Sequence, residues 1–298
     1  MTIMVTGSSG LIGEAIACYL DQAGHAIVGI SRRKSSTLPE RILQIEADIT
    51  SPLFIDTILR EAPPCDVIVH AAADRNSDPF ATSATATNCL GTQQVLAVAH
   101  AWPATAFLFL SGVAVIGIPK EIPITEEHPA HPLSAYLAAK LYGEHLVNAT
   151  RRSKVPDAIF RISAPIGAHM PRERILSVFI ERALTGHVIT INGTGARRQD
   201  YVDVRDIAQA VENWIAHPVK GLFNIASGHA ISNLDLAKRC ISLVQSSSRV
   251  EFTGKPDPAD TQAWEVAIEK AKRAFNYQPA YTLEKSILHI AEALKTHS

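Results

Sequence analysis

Tyr136 and Lys140 stand four residues apart in "SAYLAAKLYGEHL", which sets both on one face if the segment is helical. An ammonium beside a phenol stabilises the phenolate and lowers its pKa, giving an acid or base usable near neutral pH. The same ammonium is placed to hold ribose hydroxyls. By itself Tyr-x-x-x-Lys is a frequent accident of amphipathic helices, so its weight depends on its surroundings. "FLFLSGVAVIG", residues 107–117, reads as a buried strand that delivers one hydroxyl, Ser111, beside Gly112. "VTGSSGLIG" sets Gly7, Gly10 and Gly13 in G-x-x-G-x-x-G spacing between a strand and a helix, with Ser9, Leu11 and Ile12 in the same turn. Glycine there allows a tight turn and close backbone approach to a pyrophosphate, while the helix N-terminus supplies N–H donors and a positive dipole end.

The second strand ends "AIVGISRR", where an acidic side chain ordinarily hydrogen-bonds the adenosine ribose of NAD. Ser31, Arg32 and Arg33 offer instead a hydroxyl and two guanidinium forks suited to a 2′-phosphate, pointing to NADP with NAD still open. The bland alternative is solvated surface charge. Asp48, with Ile49, in "EADIT" is placed to meet the adenine amino group, and Ala71, Ala72 and Ala73 in "HAAA" are small enough to let the cofactor pass.

Positioning these groups requires strands and helices in alternation, and the chain supplies them. "TIMVT", "AIVGI", "ILQIEA", "DVIVH", "AFLFL" and "DAIFRI" are short apolar runs, separated by amphipathic segments at 11–23, 52–62, 84–101 and 134–152. Strand then helix, repeated, predicts an α/β fold: a doubly wound parallel sheet with helices on both faces. After about residue 165 the rhythm loosens, with helices expected at 174–186, 203–216, 232–245 and 282–295. The expected division is a dinucleotide-binding Rossmann domain over 1–165, with a segment near 200–225 returning to the sheet, and a smaller α/β substrate lobe over 166–298.

The bulk numbers exclude several classes. Twenty-eight Lys plus Arg against 29 Asp plus Glu leave a net charge of −1, so no global field draws nucleic acid or anionic membrane. Cys18, Cys65, Cys89 and Cys240 are far apart without metal-ligand spacing, which suggests reduced thiols in a cytoplasmic protein. No metal is expected. Neither a signal-type leader nor an apolar run near 18 residues is present, consistent with a soluble, unexported chain.

With these motifs in place, the sequence resembles the extended short-chain dehydrogenase/reductase family, in its nucleotide-sugar epimerase, dehydratase and reductase branch. The resemblance spans almost the whole chain and includes "NCLGTQQVL" with Asn88, "PITEEHPAHPLSAY", "RQDYVDVRDIAQAV" and "FNIASGHAISNLDLAKR". It implies that Tyr136 is the general acid/base on a substrate hydroxyl or carbonyl, that Lys140 supports it, and that Asn88 lies at the cofactor site. It also implies a homodimer through the helices near 84–101 and 134–152. A serine or threonine that shares the substrate oxygen should lie five residues before Gly117, and that position is Gly112. Ser111 can replace it only if the strand end is kinked at Gly112, and recruitment of Ser111 is the expectation. Ile116 and Ala164 stand where relatives often have tyrosine and a nucleotide-binding asparagine. Arg161, Arg172, Arg174, Arg197 and Arg198 are candidate anion contacts, and His70 and His169 candidate titrating groups. The leading reading is an NAD(P)-dependent epimerase, dehydratase or ketoreductase of a nucleotide-sugar-like substrate. An NADPH-dependent reductase of a non-sugar carbonyl compound and a non-catalytic dinucleotide sensor are the alternatives.

Overall fold

Side chains alternate across β1 (Thr2–Thr6): Ile3 and Val5 pack with helices α1 (Leu11–Gln22) and α7 (Val204–Ala216), and Met4 with α2 (Phe54–Glu61) and α4 (Thr92–Ala101) on the other face. Period-two alternation with both faces apolar is what a sheet covered by helices on each side requires. The computed structural model describes residues 1–296 apart from 77, 79, 103–105 and 151–154.

The first half supplies β2 (Ala26–Ser31), β3 (Leu43–Glu46), β4 (Val67–His70), a helical turn α3 (Thr82–Thr85), β5 (Ala106–Gly112), α5 (Ala135–Ala149) and β6 (Ala158–Ile162). Then come β7 (Ala164–Ile166), α6 (Ile175–Leu184), β8 (Ile189–Ile191), β9 (Arg198–Asp203), β10 (Gly221–Ile225), β11 (Ala230–Ser232) and α8 (Asn233–Leu243). β12 (Val250–Phe252), β13 (Ala263–Trp264), α9 (Glu269–Phe275) and α10 (Leu283–Thr296) complete the described chain. Seven strands form one parallel sheet in the order β10-β6-β5-β4-β1-β2-β3, the doubly wound arrangement expected from the sequence. The winding reverses between β1 and β4, so the crevice at their C-terminal ends is where such sheets bind ligands.

The rest is built on two smaller sheets and its own apolar cluster, in which Leu176, Ile180, Leu236, Ile287 and Ile290 are buried. Of the segment expected to return near 200–225, only α7 and β10 rejoin the large sheet. β9 pairs instead with β7, β11 and β13, because its edges are taken by those short strands.

Three details differ from the sequence reading. The helix expected over 84–101 is interrupted by a π-helical turn, Ala86–Gly91, where Thr92 Oγ1 donates to the Asn88 carbonyl at 2.7 Å. α9 was not foreseen, since seven residues after a turn-rich stretch carry little periodic signal; tertiary contact fixes it, with Phe275 stacked on Phe160 at 5.4 Å. α5 ends at Ala149, and positions 151–152 of the expected helix lie outside the described residues.

Candidate active site

The glycine turn is dictated by space. Gly7 has φ +69°, and a Cβ on it would lie 2.7 Å from the Ala72 backbone; one on Gly13 would lie 2.1 Å from the Gly7 carbonyl oxygen. The strand end, the turn and the first helix therefore touch through bare backbone. Gly10 caps α1 with no side-chain hydrogen bond, so the first-turn N–H groups of this 12-residue helix keep their donors for a ligand. That cradle fits the pyrophosphate of a dinucleotide.

A cavity of about 210 Å³ lies on one side of the turn, lined by Gly7, Ser9, Gly10, Ser31, Arg32, Asp48, Ile49 and Ala71 to Ala73. Asp74 and Thr87 were not foreseen there, lying on a loop and a helix start without a motif. A second cavity of about 440 Å³, sharing Gly7, Gly10, Ala71 and Ala73, holds Leu11, Ile12, Gly13, Ser111, Gly112, Tyr136 and Lys140. Sequence-read residues for binding and for chemistry thus meet on two sides of one turn.

Two expected cofactor residues stand outside the lining of these cavities. Arg33 does not line either cavity; its carbonyl accepts the Ser31 hydroxyl at 2.6 Å, which leaves Arg32 as the cation in the wall. Asn88 is buried with both amide ends on Asp74, Oδ1 accepting from its N–H at 3.0 Å and Nδ2 donating to its carbonyl at 2.7 Å. It holds the Asp74 backbone in the loop that walls the cavities.

Ser134 caps α5, its hydroxyl accepting from the Leu137 N–H, and so starts the helix two residues before Tyr136. Burial pushes the Tyr136 phenol up from its ordinary value, against which the charges of Arg75 and Arg174 work in the opposite direction. Lys140 is buried, donates to the Leu110 carbonyl at 2.9 Å and lies 4.9 Å above the Phe109 ring. Desolvation lowers it to about 8, and the carboxylate of Glu144, one turn on, acts to keep it charged.

Ser111 lines the cavity with its hydroxyl already engaged. Its hydroxyl donates at 2.6 Å to Glu144, which also accepts from Arg161 Nε at 3.0 Å and Nη2 at 2.8 Å. Ser111 and Arg161 are register partners on β5 and β6, so both face the same side and bracket the carboxylate. Gly112 is extended, with φ −131° and ψ 144°, so no kink turns Ser111 inward. Arg161 is accordingly a structural ion and not an anion contact. Arg172 sits 3.6 Å from Glu181, and Arg198 3.6 Å from Glu265, both outside this cavity. Arg174 lines the cavity, and with Pro165 it also lines an adjoining one of about 370 Å³ that holds Ala164, Arg197, Tyr201 and Asn233. Burial, helped by the Lys140 charge, drops His70 to about 3, and its ring is held by Thr6 at 2.7 Å and Thr92 at 3.0 Å. It stays neutral and structural. His169 is exposed at the cavity rim, 3.5 Å from Glu14.

A Cβ added at Gly112 would meet nothing nearer than the Ile162 carbonyl at 3.8 Å. Gly112→Ser is therefore expected to fold normally and to place a hydroxyl in the cavity. Since a preorganised donor to a developing oxyanion contributes about 2.7–4 kcal/mol, turnover should rise tenfold or more once a substrate is in hand. A steady-state assay with a melting curve checks this; lost activity at unchanged melting temperature would show that the space is needed by substrate.

Residues 3–226 match the model of the NAD dependent epimerase/dehydratase family. The chain is 29% identical to a dTDP-glucose 4,6-dehydratase of Haemophilus influenzae, over 97% of this chain and 91% of that one. It is 27% identical to a UDP-glucose 4-epimerase of Mycolicibacterium smegmatis over the full length of both. A crystal structure of the UDP-glucose 4-epimerase of Thermotoga maritima with UDP-glucose superposes with a TM-score of 0.89 at 22% identity, covering 100% of this chain and 99% of that one. With the glycine turn, Tyr136 and Lys140 assembled in the crevice of a seven-stranded parallel sheet, the chain belongs to the NAD dependent epimerase/dehydratase family.

Proposed function

We propose that the protein is an epimerase or dehydratase of a nucleotide sugar that keeps its dinucleotide through each turnover. The observation that carries this reading is the shared wall at Arg174 and Pro165: the cavity of Tyr136, which includes the glycine turn, and a second chamber with Arg197 and Asn233 both have these two residues in their lining. A two-part ligand, sugar against Tyr136 and nucleotide in the second chamber, suits that shape. Residues 166–298 then supply the nucleotide end, and residues 1–165 with the returning α7 and β10 the cofactor end.

When bound, the dinucleotide supplies a nicotinamide that takes up and returns hydride. The residues of the chain do the rest. First-turn amides of α1 and the bare turn hold the pyrophosphate, and Asp48 faces the adenine side. Tyr136 holds or removes the proton of the substrate hydroxyl, its phenolate favoured by the charges of Arg75 and Arg174 against the cost of burial, and Lys140, kept cationic by Glu144, stands one helical turn on. Gly112 carries no hydroxyl and that of Ser111, although it lines the same cavity, is donated to Glu144, so Tyr136 does this without a free hydroxyl donor from β5.

Arg32 favours a 2′-phosphate, so the finer assignment is NADP. One phosphate–guanidinium contact is charge-assisted and gives about tenfold in affinity. Dialysed protein should retain nicotinamide near one per chain, and emptied protein should bind NADPH about tenfold tighter than NADH in a fluorescence titration. Equal or tighter NADH binding removes the role of Arg32. An empty site that exchanges dinucleotide freely favours the reductase.

Leu90 and Tyr142, exposed on the helical segments at 86–91 and α5, support a homodimer through that face. Among the described residues no helix is long and apolar enough to cross a membrane, and cytoplasmic residence is part of the proposal.

A further inference from the structure

A neutral sugar hydroxyl donates as well as accepts, so its sites commonly carry carboxylate or amide side chains beside hydroxyls and backbone carbonyls. The cavity around Tyr136 has a different make-up. Its described lining includes Arg75, Lys140 and Arg174, with His169 at the rim, and contains no Asp, Glu, Asn or Gln; its side-chain acceptors are the hydroxyls of Ser111, Ser163 and Tyr136.

The cations are not equivalent. Lys140 is turned toward the Leu110 carbonyl, and His169 is beside Glu14. Arg174 gives one nitrogen to the Pro165 carbonyl at 2.8 Å and keeps the remainder of its fork, and Arg75 comes from the loop after β4. Among the described residues neither Arg75 nor Arg174 forms an ion pair with a carboxylate. The two guanidinium charges disfavour one another, and both bear on Tyr136. Glu173 acts on Arg174 from the neighbouring position without a close ion pair, and an anion arriving with the ligand adds to that compensation of two like charges. Arg197 in the adjoining chamber is available to the diphosphate, and Gly112 and Ala114 leave room beside the ring.

We infer that the sugar bears an anionic substituent of the carboxylate class at its reacting end, held by Arg75 and Arg174 beside Tyr136. The inference rests on the nucleotide-sugar reading and names the substrate class within it. Arg75 is a specificity-determining residue on this account, and it was not foreseen from the sequence because it stands in a loop without a motif.

UDP-glucose and UDP-glucuronic acid differ only in a primary alcohol against a carboxylate, so their affinities for the dinucleotide-loaded protein, measured by calorimetry at low salt, isolate that group. The acid should bind about tenfold tighter or better, and the ratio should shrink as salt is raised. Arg75→Gln and, separately, Arg174→Gln should bring the ratio below about three, with melting temperature and dinucleotide binding as controls for folding. Equal affinities in the wild-type protein overturn the inference and leave the nucleotide-sugar reading intact. Parallel weakening of both ligands in the variants also overturns it, since the arginines would then hold the shared diphosphate. Failure of UDP-glucose, dTDP-glucose and UDP-glucuronic acid all to bind brings down the nucleotide-sugar reading itself.

Discussion

Replacing Tyr136 by Phe is expected to lower kcat by about a hundredfold to ten-thousandfold while leaving dinucleotide affinity within about twofold, the signature of a lost general acid/base. The ring fills the same space, so α5 and its Ser134 cap are undisturbed. The glycine turn and the α1 N-terminus, proposed to hold the pyrophosphate, are formed without the phenol. The effect should be near the upper end of that range, because Gly112 carries no hydroxyl and that of Ser111 is donated to Glu144. Full turnover by Tyr136→Phe on an identified substrate would show the assignment of Tyr136 to be wrong.

The second large effect concerns stability. Arg161 and Glu144 are buried, with side chains 6% and 5% exposed and 2.8 Å apart. Arg161→Leu leaves a buried carboxylate with the Ser111 hydroxyl alone, and removing one partner of a buried pair typically costs about 3–5 kcal/mol. The double variant Arg161→Leu with Glu144→Met removes both charges and should recover much of that loss. Denaturant titration of the three proteins tests this; a single variant as stable as wild type would deny the pair any structural role. Catalysis separates from stability in the double variant. Lys140, already lowered to about 8 by burial, loses the carboxylate that raises it, so its ammonium is lost at lower pH. The alkaline fall in kcat should therefore begin at lower pH in the double variant than in wild type, even where stability is restored.

The large sheet was legible because its strands are continuous apolar runs with amphipathic helices between them, and both signals are local. The glycine turn and the Tyr136–Lys140 pair were legible for the same reason, since each is a short spacing tied to one element boundary. Ser111 was not. Its direction is set by Glu144, 33 residues later, and by Arg161 on the next strand, and no local pattern encodes either contact. Asn88 was placed at the cofactor site by resemblance, yet the π turn that carries it directs its amide to the Asp74 backbone. Arg32 and Arg33 are alike in the sequence, and which of the two lines the cavity depends on the turn after β2, where the Ser31 hydroxyl closes on the Arg33 carbonyl. Arg75 and Asp74 became visible only when the loop after β4 was folded over the glycine turn.

The central claim is that the sugar gives up and regains the same hydrogen within one turnover, with Tyr136 moving the proton. UDP-glucuronic acid and UDP-glucose deuterated at C4, incubated with the dinucleotide-loaded protein and followed by mass spectrometry and NMR, test it most directly. The account predicts a rearranged or dehydrated sugar nucleotide that retains its deuterium, with no reduced nicotinamide accumulating in solution. Deuterium recovered in free reduced dinucleotide, in proportion to oxidised sugar, would contradict it.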